Sequence, residues 1–60
     1  MIKIEKIEQS KSADLLVESK ILSTIEADHR FINCCDHPKL GRIYIISDGA
    51  EDDLLIKESK

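Results

Sequence analysis

Sixty residues with a net charge of −3 limit this chain to one small domain and exclude several classes of function. A chain of this length buries only about 60% of the surface that its unfolded form exposes, so its stability is marginal. Direct nucleic-acid binding requires a basic surface, whereas twelve acidic residues here outnumber nine basic ones. No apolar run approaches the roughly 20 residues that span a bilayer, and the alternating N-terminus is unlike a secretory signal. We therefore expect a single cytoplasmic domain, residues 1–60, that does not contact membranes.

The N-terminal half predicts a strand followed by a helix. Alternating isoleucines predict a strand over residues 1–6, and the polar residues 9–12 predict a connection. Ser12 is a candidate helix N-cap, and the apolar residues from 13–28 lie mainly on one half of a helical wheel. We therefore predict a helix over residues 13–28. The alternative is two short strands that turn near residues 18–20, which would make the fold all-β.

The next segment predicts a hairpin. β-branched and aromatic residues are frequent in residues 30–35 and densest in residues 42–47, and Pro38 and Gly41 interrupt the pattern between them. Both faces of residues 42–47 are apolar, which a central strand needs and an edge strand tolerates badly. We therefore predict that residues 42–47 form the middle strand of a small sheet.

The C-terminal segment predicts a loop and a last strand. An Asp-Gly pair opens the loop over residues 48–53, and residues 54–58 follow as a strand with Leu54 and Ile56 facing inward. The predicted fold is therefore α+β in the order β-α-β-β-β. One helix packs on a small, mostly antiparallel sheet.

Acidic residues are concentrated in the second predicted loop. Their spacing does not match a calcium-binding loop, which carries acids at alternate positions around a central glycine. Clustered acids on a small hairpin can instead dock onto a basic surface of another protein through electrostatic complementarity. The predicted partner-binding residues are Asp48, Glu51, Asp52 and Asp53.

Cysteine and histidine side chains, both ligands of transition metals, lie between residues 29 and 37. The adjacent Cys34 and Cys35 cannot tie distant parts of the chain together, so no disulfide framework is expected. On a strand, Cys35 and His37 share a face and could form a two-ligand zinc clip, completed by Asp36 or a second copy. The structural alternative, which we favour, places one cysteine in the core and the histidines in surface loops. His37 could also activate Cys35 as a nucleophile, but a chain this small has little room for a substrate pocket, and we expect no enzymatic activity.

By elimination, the sequence predicts a small cytosolic acidic protein that regulates or inhibits another protein by occluding a basic surface on it. Compact inhibitors encoded by phages and mobile elements share this size and charge, which is an analogy of composition. Two alternatives stay open. One is a metal-binding or redox-responsive module that uses Cys35 and His37. The other is an architectural homo-oligomer, such as a homodimer paired through sheet edges at residues 1–8 or 54–58.

Overall fold

A computed structural model describes residues 2–49 and 52–58 of the chain. The described residues form one helix and five strands: β1 (Ile2–Ile7), α1 (Gln9–Glu18), β2 (Lys20–Ala27), β3 (Arg30–His37), β4 (Gly41–Ser47) and β5 (Asp53–Glu58). All five strands pair antiparallel in one sheet of order β1-β5-β4-β3-β2. The prediction of an α+β fold with one helix on a small sheet is confirmed, and so is the central position of the strand at residues 42–47.

The single helix connects the two edges of the sheet. β1 and β2 are consecutive strands at opposite edges, so α1 crosses one face of the sheet between them. The helix ends where Ser19 takes an extended conformation, and the Ser19 hydroxyl donates to the Leu15 carbonyl at 2.6 Å. Because one short helix lies on one face, the opposite face has no layer over it among the described residues. We call these the covered face and the open face.

The predicted helix over residues 13–28 is wrong in its second half. α1 begins at Gln9, in the segment predicted as a connection, and Glu8 rather than Ser12 is the N-cap. The chain then turns at residues 18–20, as the all-β alternative expected, and continues as β2. β2 is held by pairing with β3, a tertiary interaction that overrides local periodicity. The extra strand changes the order to β-α-β-β-β-β.

A small core lies between α1 and the covered face. The register pairs Cys35 with Ile43 and Ile45 with Leu55, so these side chains point toward the helix. Ile43, Ile45 and Cys35 are fully buried. Among the described residues, the core cluster consists of Ile7, Leu15, Cys35, Ile43, Ile45 and Leu55, with Leu16 packed against it.

The orientation of the last strand differs from the prediction. β5 begins at Asp53, and its register with β4 turns Leu55 toward the core and Leu54 and Ile56 toward the open face. Lys57 shares the covered face, where its Nζ lies 2.9 Å from Glu5 Oε1 on β1. This lysine lowers the pKa of Glu5 through a hydrogen bond and its charge. β5 is paired on both sides, so it cannot serve as the predicted free edge at residues 54–58.

A two-residue turn of unfavourable composition joins β2 to β3. Ala27 pairs with Arg30, and the residues between them, Asp28 and His29, have φ angles of 49° and 64°. Two positive φ angles are the requirement of the type I′ hairpin turn, which favours Asn-Gly. Neither residue of this turn is glycine or asparagine.

Replacing this turn with Asn-Gly, through Asp28→Asn and His29→Gly, should raise the free energy of unfolding by about 1 kcal/mol. Position 29 has a left-handed backbone conformation, which glycine adopts without the steric penalty that the β-carbon of His29 causes. Gly41→Ala is the opposite control, because it adds a β-carbon at a left-handed position with φ 77° and open space around it. We expect the free energy of unfolding to fall by about 1 kcal/mol, through the backbone conformation alone. Chemical denaturation measures both. No gain in the turn variant would show that this turn carries no strain.

Candidate functional site

The centre of the open face is largely apolar, and each of the five strands contributes at least one apolar side chain to it. The pairing register arranges its side chains in two adjacent rows. At the edges of the sheet, Ile4 and Ile25 are 64% and 56% exposed. In strand order, the first row is Ile4, Ile56, Tyr44, Cys34 and Ser23, and the second is Lys6, Leu54, Ile46, Ile32 and Ile25. Exposed apolar surface of this extent is uncommon on a monomeric protein and marks an interaction site.

Charged residues of both signs bound the apolar rows at the two ends of the strands. One end carries Glu58, Arg42, Asp36 and Lys20 on the open face. At the other end, a shallow depression of about 190 Å³ is lined by Lys6, Arg30, Ile46, Asp48, Asp52 and Leu54. The open face therefore has an apolar centre and a mixed-charge rim.

The predicted acidic surface does not form as one patch. Asp48 and Asp52 are exposed, and Glu51 lies outside the described residues. Asp53 is only 4% exposed, because it opens β5 on the covered face. Lys6 and Arg30 line the same depression as the two exposed aspartates, so the local charge there is balanced among the described residues. Because its side chain is buried, Asp53 is not part of the surface that a partner would contact.

Asp53 instead joins the helix to the sheet. The Ser12 hydroxyl of α1 donates a hydrogen bond to Asp53 Oδ2, and both residues are buried. Asp53 Oδ1 has no hydrogen-bond partner among the described residues. Ser12 therefore supplies the hydrogen bond that compensates this buried carboxylate.

Cys35 and His37 share one face of β3, as predicted. That face is the covered one, and both side chains are buried. Cys35 is 0% exposed, and burial, followed by the neighbouring Cys34, raises the pKa of its thiol. A raised pKa favours the neutral thiol, which is a poor nucleophile and metal ligand. The prediction of one cysteine in the core is confirmed, whereas His37 is not in a surface loop. Within residues 2–49 and 52–58, no three His, Cys, Asp or Glu side chains are grouped to hold a metal ion.

His37 organises the turn between β3 and β4. Its Nδ1 accepts hydrogen bonds from the backbone N–H groups of Lys39 and Leu40, each at 3.1 Å. Its Nε2 lies 3.9 Å from Glu18 Oε1 at the end of α1. In a neutral imidazole whose Nδ1 accepts hydrogen bonds, the ring proton is on Nε2, so Nε2 can donate to an acceptor such as Glu18 but has no lone pair for a metal ion.

Replacing His37 with alanine should lower the free energy of unfolding by about 2–3 kcal/mol, because two backbone donors lose their acceptor. His37→Asn is the matched control, since its amide oxygen can accept from the same donors. We expect it to recover about half of the loss. Urea denaturation measures both variants. Equal losses would show that packing, and not the acceptor, is what His37 contributes.

The two cysteines should react very differently with a thiol reagent. Cys34 is half-buried on the open face, whereas Cys35 is fully buried and has a raised pKa. Mass spectrometry after brief alkylation of dilute native protein should find one modification, on Cys34, and a second only after denaturation. Rapid modification of Cys35 in the native protein would contradict the packing of the core.

The sequence pointed to the acidic loop and missed the open face. The two apolar faces of residues 42–47 indicate a central strand, and one of these faces carries Tyr44 and Ile46. A central strand with two apolar faces normally has a packing layer on each side. The described residues supply such a layer on the covered face alone, which leaves Tyr44 and Ile46 in the candidate site.

Comparison with known protein families, with curated proteins and with solved structures finds no match for this chain. Among the described residues, α1 is too short and too polar to cross a membrane. The assignment of function therefore depends on the geometry and chemistry of the open face.

Proposed function

We propose that this protein acts by binding another protein through its open face. The observation that carries the proposal is the uncovered apolar centre of the sheet, where neighbouring strands present Tyr44, Ile46, Leu54 and Ile56 side by side. Protein–protein interfaces combine a desolvated apolar centre with a polar, hydrated rim, and the open face has the same arrangement. By covering a surface of its partner, a chain of this size acts as a small regulator or inhibitor.

The rim adds an electrostatic contribution to binding. Asp48 and Asp52 are the members of the predicted acidic set that are exposed among the described residues, and the net charge of −3 favours approach to a basic partner. Lys6 and Arg30 beside them reduce that preference at short range. Occlusion of a basic surface therefore depends on the apolar centre for affinity and on the two aspartates for association rate.

Site-specific photocrosslinking tests whether the open face is the binding surface. p-Benzoylphenylalanine in place of Tyr44 puts a photoreactive ring at the centre of the open face and conserves the aromatic side chain. The matched control carries the same group in place of Val17, which is 85% exposed on α1. Irradiation in cell lysate should give a defined adduct from position 44 and none from position 17.

A second substitution distinguishes a crosslink that reflects specific binding from one that reflects random encounter. Adding Ile46→Glu to the position-44 protein should abolish the adduct, because a buried charge at the centre of the interface opposes binding. Val17→Glu adds the same charge on the helix and should leave the adduct unchanged. Adducts at positions 44 and 17 in similar yield, or an adduct that survives Ile46→Glu, would overturn the proposal.

A further inference from the structure

Building on the proposed role of the open face as a protein-binding surface, we infer that a second copy of this chain occupies the open face of the free protein. The two sheets pack face to face about a two-fold axis that runs across the strands near Tyr44 and Ile46, and the helices lie on the outside. Three properties of the open face lead to this arrangement: its area, the order of its apolar rows and the order of its charges.

The area is sufficient for a specific dimer. Five strands about 4.8 Å apart and four side-chain rows about 6.7 Å apart give twenty positions, each about 32 Å² in projection, or about 640 Å² in all. Two such faces bury about 1,300 Å², which lies at the lower end of the range for specific interfaces. Packing two sheets also covers the open face, over which the described residues, with six in the core cluster, place no layer.

The apolar rows match each other under this axis. A two-fold rotation about an axis across the strands keeps each strand over its own copy and reverses its direction. On β5, Ile56 then faces Leu54 of the other copy, and on β4, Tyr44 faces Ile46 of the other copy. The isologous contact therefore joins apolar side chains to apolar side chains along the central strands.

The rim charges select this axis over the alternative. The same rotation brings Arg42 toward Asp48 of the other copy and Asp36 toward Arg30 of the other copy, each contact occurring twice. The like-charge approach of Glu58 toward Asp52 of the other copy, on β5, also occurs twice. An axis along the strands would instead bring Arg42 onto Arg42, Asp48 onto Asp48 and Glu58 onto Asp36, with Asp52 onto Arg30 as the one opposite-charge approach among these residues. Electrostatic complementarity therefore favours the axis across the strands.

Sedimentation equilibrium measures the dimer directly. Wild-type protein should change from monomer to dimer, twice 6.8 kDa, between about 1 and about 100 μM, with a melting temperature that rises with concentration. Ile46→Glu should raise the dissociation constant at least about 100-fold, since a charge enters the apolar centre. Val17→Glu is the matched control and should dimerise normally. Circular dichroism establishes that each variant is folded.

A charge exchange tests the axis. Arg42→Glu alone places a second carboxylate near Asp48 of the other copy, and Asp48→Arg alone places a second guanidinium near Arg42, so each variant should dissociate. In a mixed dimer, the Asp48 that the first variant keeps meets the Arg42 that the second variant keeps. At the other symmetry-related contact, the two introduced side chains meet, and they are also opposite in charge. An equimolar mixture should therefore recover a one-to-one dimer. Failure of the mixture to recover, with both variants folded, would overturn the axis across the strands.

The outcome also separates this inference from the proposed function. A wild-type protein that is monomeric at about 100 μM, or a dimer that persists in Ile46→Glu, overturns the second copy as occupant. If the position-44 crosslink then joins this chain to a different protein, the open face remains a binding surface with another partner. Absence of both dimer and crosslink rejects the inference and the proposed function together.

Discussion

Ile45→Ala is expected to lose about 2–5 kcal/mol of the free energy of unfolding. Ile45 is fully buried at the centre of β4, where it packs in the cluster that includes Ile43 and Leu55. A domain of this length has a total stability of about 3–9 kcal/mol, so the loss of one core side chain removes a large share of it.

Ile46→Ala is the matched control for the core. Ile46 is the next residue on β4 but lies on the open face, where it is only half-buried. At concentrations where the chain is monomeric, we expect the free energy of unfolding to fall by less than about 1 kcal/mol. The substitution removes only a little apolar surface that folding of the monomer buries. Urea denaturation followed by circular dichroism measures both variants. Equal losses at the two positions would contradict the assignment of one covered face and one open face.

Ser12→Ala is expected to lower the free energy of unfolding by about 1–3 kcal/mol, because it leaves the buried Asp53 carboxylate without its hydrogen-bond donor. Asp53→Asn should be milder, since the amide oxygen can still accept from Ser12 and the buried charge is removed. The double variant Ser12→Ala with Asp53→Ala should lose less free energy of unfolding than the sum of the losses in Ser12→Ala and in Asp53→Ala. Thermal and urea unfolding measure this coupling.

Asp52→Asn is the control that separates binding from folding in the acidic segment. Asp52 is exposed beside Asp53, so its substitution should change stability by less than about 0.5 kcal/mol. A partner-binding defect in an Asp53 variant would therefore follow from loss of helix anchoring. A stability loss in Asp52→Asn as large as that in Asp53→Ala would contradict the different burial of the two residues.

The central strand could be predicted because its signal is local and dense. Residues 42–47 carry apolar side chains on both faces, and that pattern suits a strand paired on both sides, as β4 is. The α+β class followed from the same reasoning. The helix itself was found, but its bounds moved toward the N-terminus, because Ser12 resembles an N-cap and is instead the buried donor to Asp53.

β2 could not be recognised from local pattern. Ile21 and Ile25 are four residues apart, a spacing that suits one face of a helix and also one side of a strand. The usual hairpin signal is missing, since the β2–β3 turn uses Asp28 and His29 at positive φ. A bulge between Ile21 and Ser23 further breaks the alternation. Only the long-range partner, β3, decides that this segment is a strand.

The position of Asp53 shows how one residue of register changes a functional prediction. Treated as the last loop residue, Asp53 joins an exposed acidic cluster. Treated as the first residue of β5, it points to the covered face, and Leu54 and Leu55 exchange the faces assigned to them. Turn propensities locate a loop only approximately, so the face on which each β5 side chain lies could not be predicted.

Photocrosslinking from position 44, compared with position 17, tests the central claim most directly, because it asks which face of the sheet contacts another protein. The open-face assignment predicts a defined adduct from position 44 that disappears with Ile46→Glu and is absent from position 17. An adduct from position 17 alone, or equal yields at both positions, would show that the protein does not bind through the open face.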